Sequence, residues 1–599
     1  MKSAVYFVLF FVFMGCAYAS QGHMKLLAVS QEGEEIIGSE ADLYLEIKEG
    51  SGRVFIETFP ITKMDTQIST RFAKEIACNY LETDCSRYDF FYTIRGESGI
   101  IGGPSAGAAI SVLTIAELRG LKIDENVSMT GTINSGGIIG PVGGVKEKIE
   151  AAKKAGLNKV LIPRGEILED NTSIEEYSEK NNITIIEVST VDEAVYEFTG
   201  YNNEEGNLSL EISKEYSDTM KQLAEMLCDK TTELQSKLLK DKFLQEMNES
   251  LKNKEDEAIN LTIKSKNAFE EGKYYSSASY CFGANIRYKY LQLKHENLSE
   301  EGLMEILNTL KEEIKDFENE TDGREKRTIT DLETYMVVKE RIKESKEGFD
   351  SLMSSAAEGK EIEYELAYTS ERLYSGRTWS EFFGKDGKEY NLSKELLKKS
   401  CQDKLAEAEE RYQYLIFFVP NGFSELRKAL DYAYTDYGAG EYDLCLFKAS
   451  KAKAEANTIV GTIGVDEEDF AGLIEKKTEI VGKNLAKQTS RGIFPIVGYS
   501  YYEYAQSLSE EDKYSAMTYL EYALELGNLD IYFQEKEAEN GSNNKTGIKI
   551  DSIKLGIFVI GVILGLIIGI FIGAKASKQK TPRRNYPKIA SSRGKRGDR

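Results

Sequence analysis

The pattern of apolar and polar positions changes once along the chain, near residue 205. From residue 23 to residue 201, runs with an apolar residue at every second position alternate with stretches at helical spacing, which predicts an α+β domain. From residue 205 to residue 535, charged sequence with helical periodicity predicts a second, all-α domain. The predicted elements of the first domain are strands at 43–47, 54–58, 88–94, 127–133, 160–162 and 183–188 and helices at 66–81, 105–118 and 146–155.

Both ends of the chain carry apolar segments. Residues 1–19 have the form of a signal peptide cleaved after Ala19, and an uncleaved N-terminal anchor is the alternative. Residues 555–574 contain no charge and would form about 30 Å of helix, so a single C-terminal transmembrane helix is predicted after a linker at 536–554. Glycine recurs at every fourth position of this segment, at Gly561, Gly565, Gly569 and Gly573. Such a row of small residues would allow two of these helices to pack closely; the alternative is that Gly is simply common in membrane helices.

The distribution of charge predicts how the chain lies in the membrane. Residues 575–599 hold ten Lys or Arg and one Asp, so this tail is expected in the cytoplasm and residues 20 to about 553 outside the cell membrane. Eleven Asn-x-Ser/Thr sequons and the closely spaced Cys78 and Cys85, a candidate disulfide pair, agree with an exported glycoprotein. The total charge of −23 includes the basic tail, so the rest of the chain is strongly acidic and nucleic-acid binding is not expected.

Three segments of the predicted all-α domain are similar to one another. Residues 268–278, 437–446 and, more loosely, 512–517 each place turn-forming residues and a Tyr between two predicted helices. Such helix–turn–helix units resemble tetratricopeptide-like hairpins, whose stacks form grooves for peptides. A plain helical bundle is the other interpretation, because the period is irregular.

Candidate chemistry concentrates around Ser105, which opens a predicted helix within a run of small residues. Gly103, Pro104 and Ala106 would let a substrate backbone come close, and amides in the first turn of a helix can hold a developing oxyanion. A serine in this place is more often only the N-cap of its helix.

A nucleophilic serine needs a base, and the composition restricts the choice. The chain has two histidines, His23 beside the predicted signal peptide and His295 in the helical domain, so a Ser/His/Asp triad is hard to build. Lysine is the natural substitute, provided that burial or a neighbouring helix terminus lowers its pKa enough to make it neutral.

Three motifs in sequence order resemble those of the Lon peptidase family. They are GPSAG at 103–107, MTG at 129–131 and PVGGVKEKIEAA at 141–152. Over residues 25 to 200 the resemblance implies Ser105 as nucleophile, Lys148 as base and Thr130 as a hydroxyl that holds the lysine. Lys146 is the rival base, but it should point elsewhere on the helix. The chain departs from the family at Gly102, where many members carry an acidic residue.

The whole chain resembles archaeal membrane-anchored, Lon-like serine peptidases. The implied function is ATP-independent cleavage of unfolded or flexible polypeptides outside the cytoplasm, because no Gly-x-x-x-x-Gly-Lys-Ser/Thr loop occurs. No cofactor and no metal are expected, and Lon-type domains generally assemble into homo-oligomers. The alternative is a non-catalytic surface binding or scaffold protein that retains a Lon-like fold.

Overall fold

The computed structural model describes residues 21–32, 35–81, 83–96, 102–166, 168, 173–202, 210–239, 247–296, 298–419, 422–462 and 467–536, which belong to one compact unit. The predicted signal peptide, the membrane helix at 555–574 with its four glycines, and the basic tail lie outside the described residues. Within the described ranges, every helix is too short or too polar to cross a bilayer.

A mixed sheet forms the centre of the N-terminal region. The strands are β1 (Gln21–Glu32), β2 (Glu35–Glu49), β3 (Val54–Phe59), β4 (Tyr88–Gly96), β5 (Val127–Met129), β6 (Thr132–Asn134), β7 (Ile138–Gly140), β8 (Lys159–Pro163) and β9 (Thr184–Val188). Seven of them pair in the order β3-β4-β2-β1-β5-β8-β9, with β2 antiparallel to both of its neighbours and the other pairs parallel. Strands β6 and β7 form a separate antiparallel pair.

Helices cover both faces of this sheet. They are α1 (Met64–Tyr80), α2 (Gly107–Arg119), α3 (Val145–Lys154), α4 (Ile174–Asn181) and α5 (Val191–Thr199). Successive side chains of a strand point to opposite faces, so Leu26 packs in the core with α1, α2 and α5, whereas Leu27 packs in the core with α3 and α4. The region therefore contains both strands and helices, as the predicted α+β domain requires.

The prediction of one strand at 127–133 is wrong in one respect, because the structure contains two strands there, β5 and β6. Thr130 still donates its amide to Leu161 O on β8 at 3.0 Å, but Gly131 donates to Ser105 O at 2.9 Å and so leaves the sheet. A side chain at Gly131 would meet Ile139 Cγ2 at 2.6 Å. The alternation of apolar residues continues through this point, so the pattern alone did not show that the hydrogen-bond partner changes.

The described residues from 214 onward are predominantly helical, as expected for the second region. The helices are α6 (Lys214–Leu239), α7 (Glu249–Glu270), α8 (Tyr274–Glu296), α9 (Glu300–Asp322), α10 (Ile329–Ala357), α11 (Glu363–Trp379), α12 (Lys394–Phe418), α13 (Ser424–Ala439), α14 (Tyr442–Thr462), α15 (Glu467–Ser490), α16 (Ile496–Leu508) and α17 (Lys513–Leu526). The three similar segments lie at the turns between α7 and α8, α13 and α14, and α16 and α17. Each of these helix pairs packs together, which both the tetratricopeptide-like and the bundle interpretation require.

Three disulfides tie local elements together. Cys78 of α1 is bonded to Cys85 in the following turn, with Cα atoms 6.0 Å apart. The other two join helices of the second region, α6 to α8 through Cys228–Cys281 and α12 to α14 through Cys401–Cys445. The sequence had singled out the first pair only, because it alone is close in sequence.

Candidate active site

Ser105 lies in a short 3-10 turn, Pro104–Ala106, which leads directly into α2. Helix α1 holds this turn, because Thr66 Oγ1 donates to Gly103 O at 3.4 Å and Ser69 Oγ donates to Pro104 O at 3.3 Å. Gly103 has φ +102°, a conformation that side chains disfavour. The Ser105 side chain is half-buried, so it borders both solvent and the protein interior.

The small residues around Ser105 have a packing reason as well as a chemical one. A Cβ added at Gly107 would lie 2.7 Å from Ser69 Oγ and 2.8 Å from Ile133 Cγ2. Both contacts are closer than real Cβ atoms allow, so glycine lets α2 begin against α1 and β6. The GPSAG segment is therefore shaped by its neighbours at the helix start.

The break between β5 and β6 connects the segments that carry Ser105 and Lys148. Gly131 N donates to Ser105 O at 2.9 Å, and Ala108 N donates to Gly131 O at 3.1 Å. The adjacent residue, Thr130, is fully buried, and its Oγ1 accepts a hydrogen bond from Lys148 Nζ at 3.1 Å. Lys148 is thus bonded to Thr130 through its side chain, and Ser105 is bonded to the next residue, Gly131, through its backbone carbonyl.

Lys148 has the environment that a neutral lysine base requires. It is 2% exposed, and burial lowers the pKa of its ammonium group to about 8, although the carboxylates of Glu166 and Glu147 act in the opposite direction. Lys146 lies two residues earlier on α3, about 200° away around the helix axis, and interacts electrostatically with Tyr177 of α4. The geometry therefore favours Lys148 over Lys146.

The histidines are placed elsewhere. His23 of β1 is hydrogen-bonded to Asp42 at 2.8 Å, and the neighbouring Gly22 lies against Glu117, at the end of α2 opposite to Ser105. His295 lies in the last turn of α8. Across the residues that the structure describes, no group of three or more His, Cys, Asp or Glu side chains is arranged to hold a metal ion.

Glu166 is a site residue that the sequence reasoning missed. Its Oε1 accepts a hydrogen bond from Val142 N at 2.8 Å, on the loop that precedes α3. Burial raises the pKa of Glu166 to about 7, while the Val142 amide and the Lys148 ammonium group favour its ionised form. The only signal in the sequence was an acidic residue three positions after Pro163, at the end of β8.

The second region also reaches the site, through helix α12. Tyr414 OH accepts a hydrogen bond from Gly143 N at 2.8 Å. Arg411 Nη2 donates to Asn134 Oδ1 at 2.8 Å and to Ile133 O at 3.3 Å, on strand β6. These partners are more than 270 positions apart in sequence, so no local pattern could have paired them.

A buried cluster of charges joins the two regions beside these contacts. Glu525 of α17 receives Lys404 Nζ at 2.8 Å, Lys453 Nζ at 3.1 Å and the Ser135 hydroxyl at 2.8 Å. Glu407 accepts from both lysines, at 3.2 Å and 2.8 Å. All four charged side chains are at least 95% buried, so we call them the buried charge cluster.

Comparison with known proteins identifies the region that carries this site. Residues 96–199 match the family described as "Lon protease (S16) C-terminal proteolytic domain". The chain is 34% identical to the Lon protease of Clostridium beijerinckii over 182 residues. This alignment covers 29% of this chain and 21% of that protein. It is 36% identical to the archaeal Lon protease of Archaeoglobus fulgidus over 116 residues. This alignment covers 19% of this chain and 18% of that protein.

A third relative, the Lon protease of Azorhizobium caulinodans, is 42% identical over 94 residues, which is 16% of this chain and 11% of that protein. The chain thus spans about a fifth or less of the length of these relatives. The matched residues include Ser105, Thr130 and Lys148, and they coincide with the part of the fold that holds the site. Residues 96–199 therefore form a proteolytic domain of the Lon type.

Proposed function

We propose that the protein is a serine endopeptidase in which Ser105 is the nucleophile and Lys148 is the general base. The observation that carries the proposal is the buried Lys148, whose Nζ donates to Thr130 Oγ1 and whose pKa is lowered to about 8. A structural lysine would more simply be solvated or paired with a carboxylate, whereas a lowered pKa is what a base near neutral pH needs.

In the first step, neutral Lys148 takes the proton of the Ser105 hydroxyl while Oγ attacks the peptide carbonyl carbon. The carbonyl oxygen gains the negative charge, and the backbone N–H groups of Ser105 and Ala106 in the Pro104–Ala106 turn are the candidate donors to it. Protonated Lys148 then gives its proton to the leaving amine, and an acyl group stays on Oγ. A water molecule then gives a proton to neutral Lys148 while its oxygen attacks the acyl carbon. The bond from this carbon to Oγ breaks, and Oγ takes the proton from Lys148, which releases the acid and restores Ser105.

The substrates we propose are unfolded or flexible polypeptides, cleaved without ATP. Ser105 lies at a half-buried turn beside the second region, which a compact folded substrate would have difficulty reaching. The helix–turn–helix segments of that region are candidates for binding such chains. The homo-oligomer that the resemblance implies is part of the same proposal, and analytical ultracentrifugation that finds only monomer would argue against it.

A serine-reactive fluorophosphonate should label the purified protein at Ser105. We expect labelling of the wild-type chain, none of Ser105→Ala, and unchanged labelling of the control Ser111→Ala. The Ser111 hydroxyl lies about one and a half turns beyond Ser105, on α2, and donates to Gly107 O and Ala73 O. Mass spectrometry of the labelled peptide is the measurement. A folded wild-type protein that takes no label would favour the non-catalytic binding or scaffold alternative.

We also propose that residues 20 to about 553 lie outside the cell membrane and that the tail at 575–599 is cytoplasmic. The support is the uncharged run at 555–574 followed at once by basic residues. Protease added to intact cells should digest the N-terminal part and leave a fragment that contains the tail. An epitope placed after Lys588 that is accessible from outside would overturn this topology.

A further inference from the structure

Helix α12 contacts the peptidase region on both sides of the Lys148–Thr130 hydrogen bond. Tyr414 OH accepts from Gly143 N, five residues before Lys148. One helical turn earlier, Arg411 binds Asn134 and Ile133 O, three to four residues after Thr130. One helix of the second region therefore holds the segment that leads into the base and the segment that leads away from its hydroxyl partner.

Glu166 holds the same loop from the peptidase side. Its carboxylate accepts from Val142 N at 2.8 Å, so two successive amides, those of Val142 and Gly143, are bound by one residue of each region. Gly144 follows with φ +67°, and its carbonyl accepts from Lys148 N at 3.0 Å in the first turn of α3. Movement of the loop would therefore move Lys148, and displacements of about 1 Å can reduce rates by about 10².

Charged groups from several elements act on this loop, and they include Arg411 of α12, which acts to lower the pKa of Tyr414 against the larger effect of burial. Lys148 interacts electrostatically with Glu166 and Glu147, and both carboxylates raise its pKa against the larger effect of burial. Glu166 in turn interacts with Glu187, which accepts from Gly165 N at 2.7 Å. Tyr414 is the uncharged member of the group, and burial raises its pKa, so its hydroxyl stays neutral in the range where Lys148 titrates.

We propose that Glu166 and Tyr414 are positioning residues for the lysine base, so that the helical region is a working part of the peptidase. Tyr414 fixes the place of the loop through a hydrogen bond, and Glu166 fixes it and also sets the charge that Lys148 experiences. The proposal rests on the serine endopeptidase function proposed above, and it assigns a role in that function to the second region.

The first test is Tyr414→Phe in the full chain, with the rate of fluorophosphonate labelling of Ser105 measured from pH 6 to pH 10. Loss of the hydroxyl leaves the Gly143 amide without this acceptor, so the labelling rate should fall about tenfold. The pH midpoint should stay in place, because no charge changes. Tyr412→Phe is the matched control, since it removes a hydroxyl from the same helix, and it should label at the wild-type rate.

The second test is Glu166→Gln, which keeps an oxygen for Val142 N and removes the negative charge. Because the Glu166 carboxylate raises the pKa of Lys148, the midpoint of the pH profile should move to lower pH, by roughly one pH unit. Glu150→Gln removes an exposed carboxylate from the same helix α3 and should leave the midpoint in place. A loss of packing alone would lower the rate without moving the midpoint.

The outcomes separate this proposal from the one on which it rests. Wild-type labelling at Ser105 together with wild-type rates and midpoints in both Tyr414→Phe and Glu166→Gln would overturn the positioning roles and leave the peptidase function intact. A lower rate with an unmoved midpoint in Glu166→Gln would overturn its electrostatic role. A folded wild-type protein that takes no label would remove both proposals. Circular dichroism of each variant checks that the fold is kept.

Discussion

Replacing Lys148 by alanine should lower the turnover of an unfolded casein substrate by a factor of about 10² to 10⁴, the usual effect of losing a general base. Lys148→Arg should be equally inactive, because a guanidinium with a pKa above about 12 stays protonated and cannot accept the serine proton. Initial rates for the three proteins at one pH are the measurement. The matched control is Lys146→Ala on the same helix, which should keep most of the activity.

The pH dependence of the wild-type activity provides a second test of Lys148 as the general base. Burial lowers the pKa of Lys148 to about 8, so the neutral, active fraction rises as pH increases through 8. Activity should therefore climb from pH 6 to pH 10 with its main rise near pH 8, and the ionisation of Glu166 near pH 7 should shape the lower part of the profile. A Lys148→Ala enzyme with near-normal turnover would refute the Ser105–Lys148 dyad. If Lys146→Ala were the inactive variant instead, the base would have been misassigned by two residues.

Glu525→Gln should lower the free energy of unfolding by about 3–5 kcal/mol, because it leaves Lys404 and Lys453 buried with Glu407 as the only carboxylate of the buried charge cluster. Burial alone would raise the pKa of Glu525, but the two ammonium groups outweigh it and lower the pKa to about 2. Urea unfolding followed by circular dichroism at pH 7 is the measurement.

The sign of the pH effect follows from that lowered pKa. The stabilisation from Glu525 is present above its usual value near 4.5 and is lost as the pH falls toward 2, so the difference between Glu525→Gln and wild type should shrink over that range. Glu479→Gln, which breaks an exposed pair with Lys483 on α15, should leave the free energy of unfolding unchanged. A loss below about 1 kcal/mol for Glu525→Gln would show that the cluster does not hold the regions together.

The parts of the fold that follow from local pattern were predictable. The strand of β4, predicted at 88–94, is found at Tyr88–Gly96, and the helix predicted at 146–155 is found at Val145–Lys154. Alternation and helical spacing are properties of the residues within one element, and they indicate the type of the element and which of its faces is apolar. The single strand predicted at 127–133 failed because Gly131 exchanges a sheet partner for Ser105 O, and no local pattern records a change of partner.

The residues of the candidate site also fall into two groups, those that a local pattern predicts and those that it does not. Ser105, Thr130 and Lys148 could be named from short motifs, since each lies in a segment whose residue types and order are specific to one family. Glu166 had only a weak signal, and Tyr414 and Arg411 had none. Glu166 reaches Val142 N only when the end of β8 and the loop before α3 meet in the folded peptidase region. Tyr414 and Arg411 reach Gly143 and Asn134 only when α12 packs against that region.

The sequence by itself determined the change from α/β to helical structure near residue 205, the family of the proteolytic domain, and the residues proposed as nucleophile and base. Only the tertiary structure decided that Lys148 is buried against Thr130, that its pKa falls to about 8, and that helix α12 contacts the loop that precedes the lysine helix. The physical reason is that pattern and motif are properties of neighbouring residues, whereas burial, pKa and long-range hydrogen bonds arise from groups that meet only after the chain has folded.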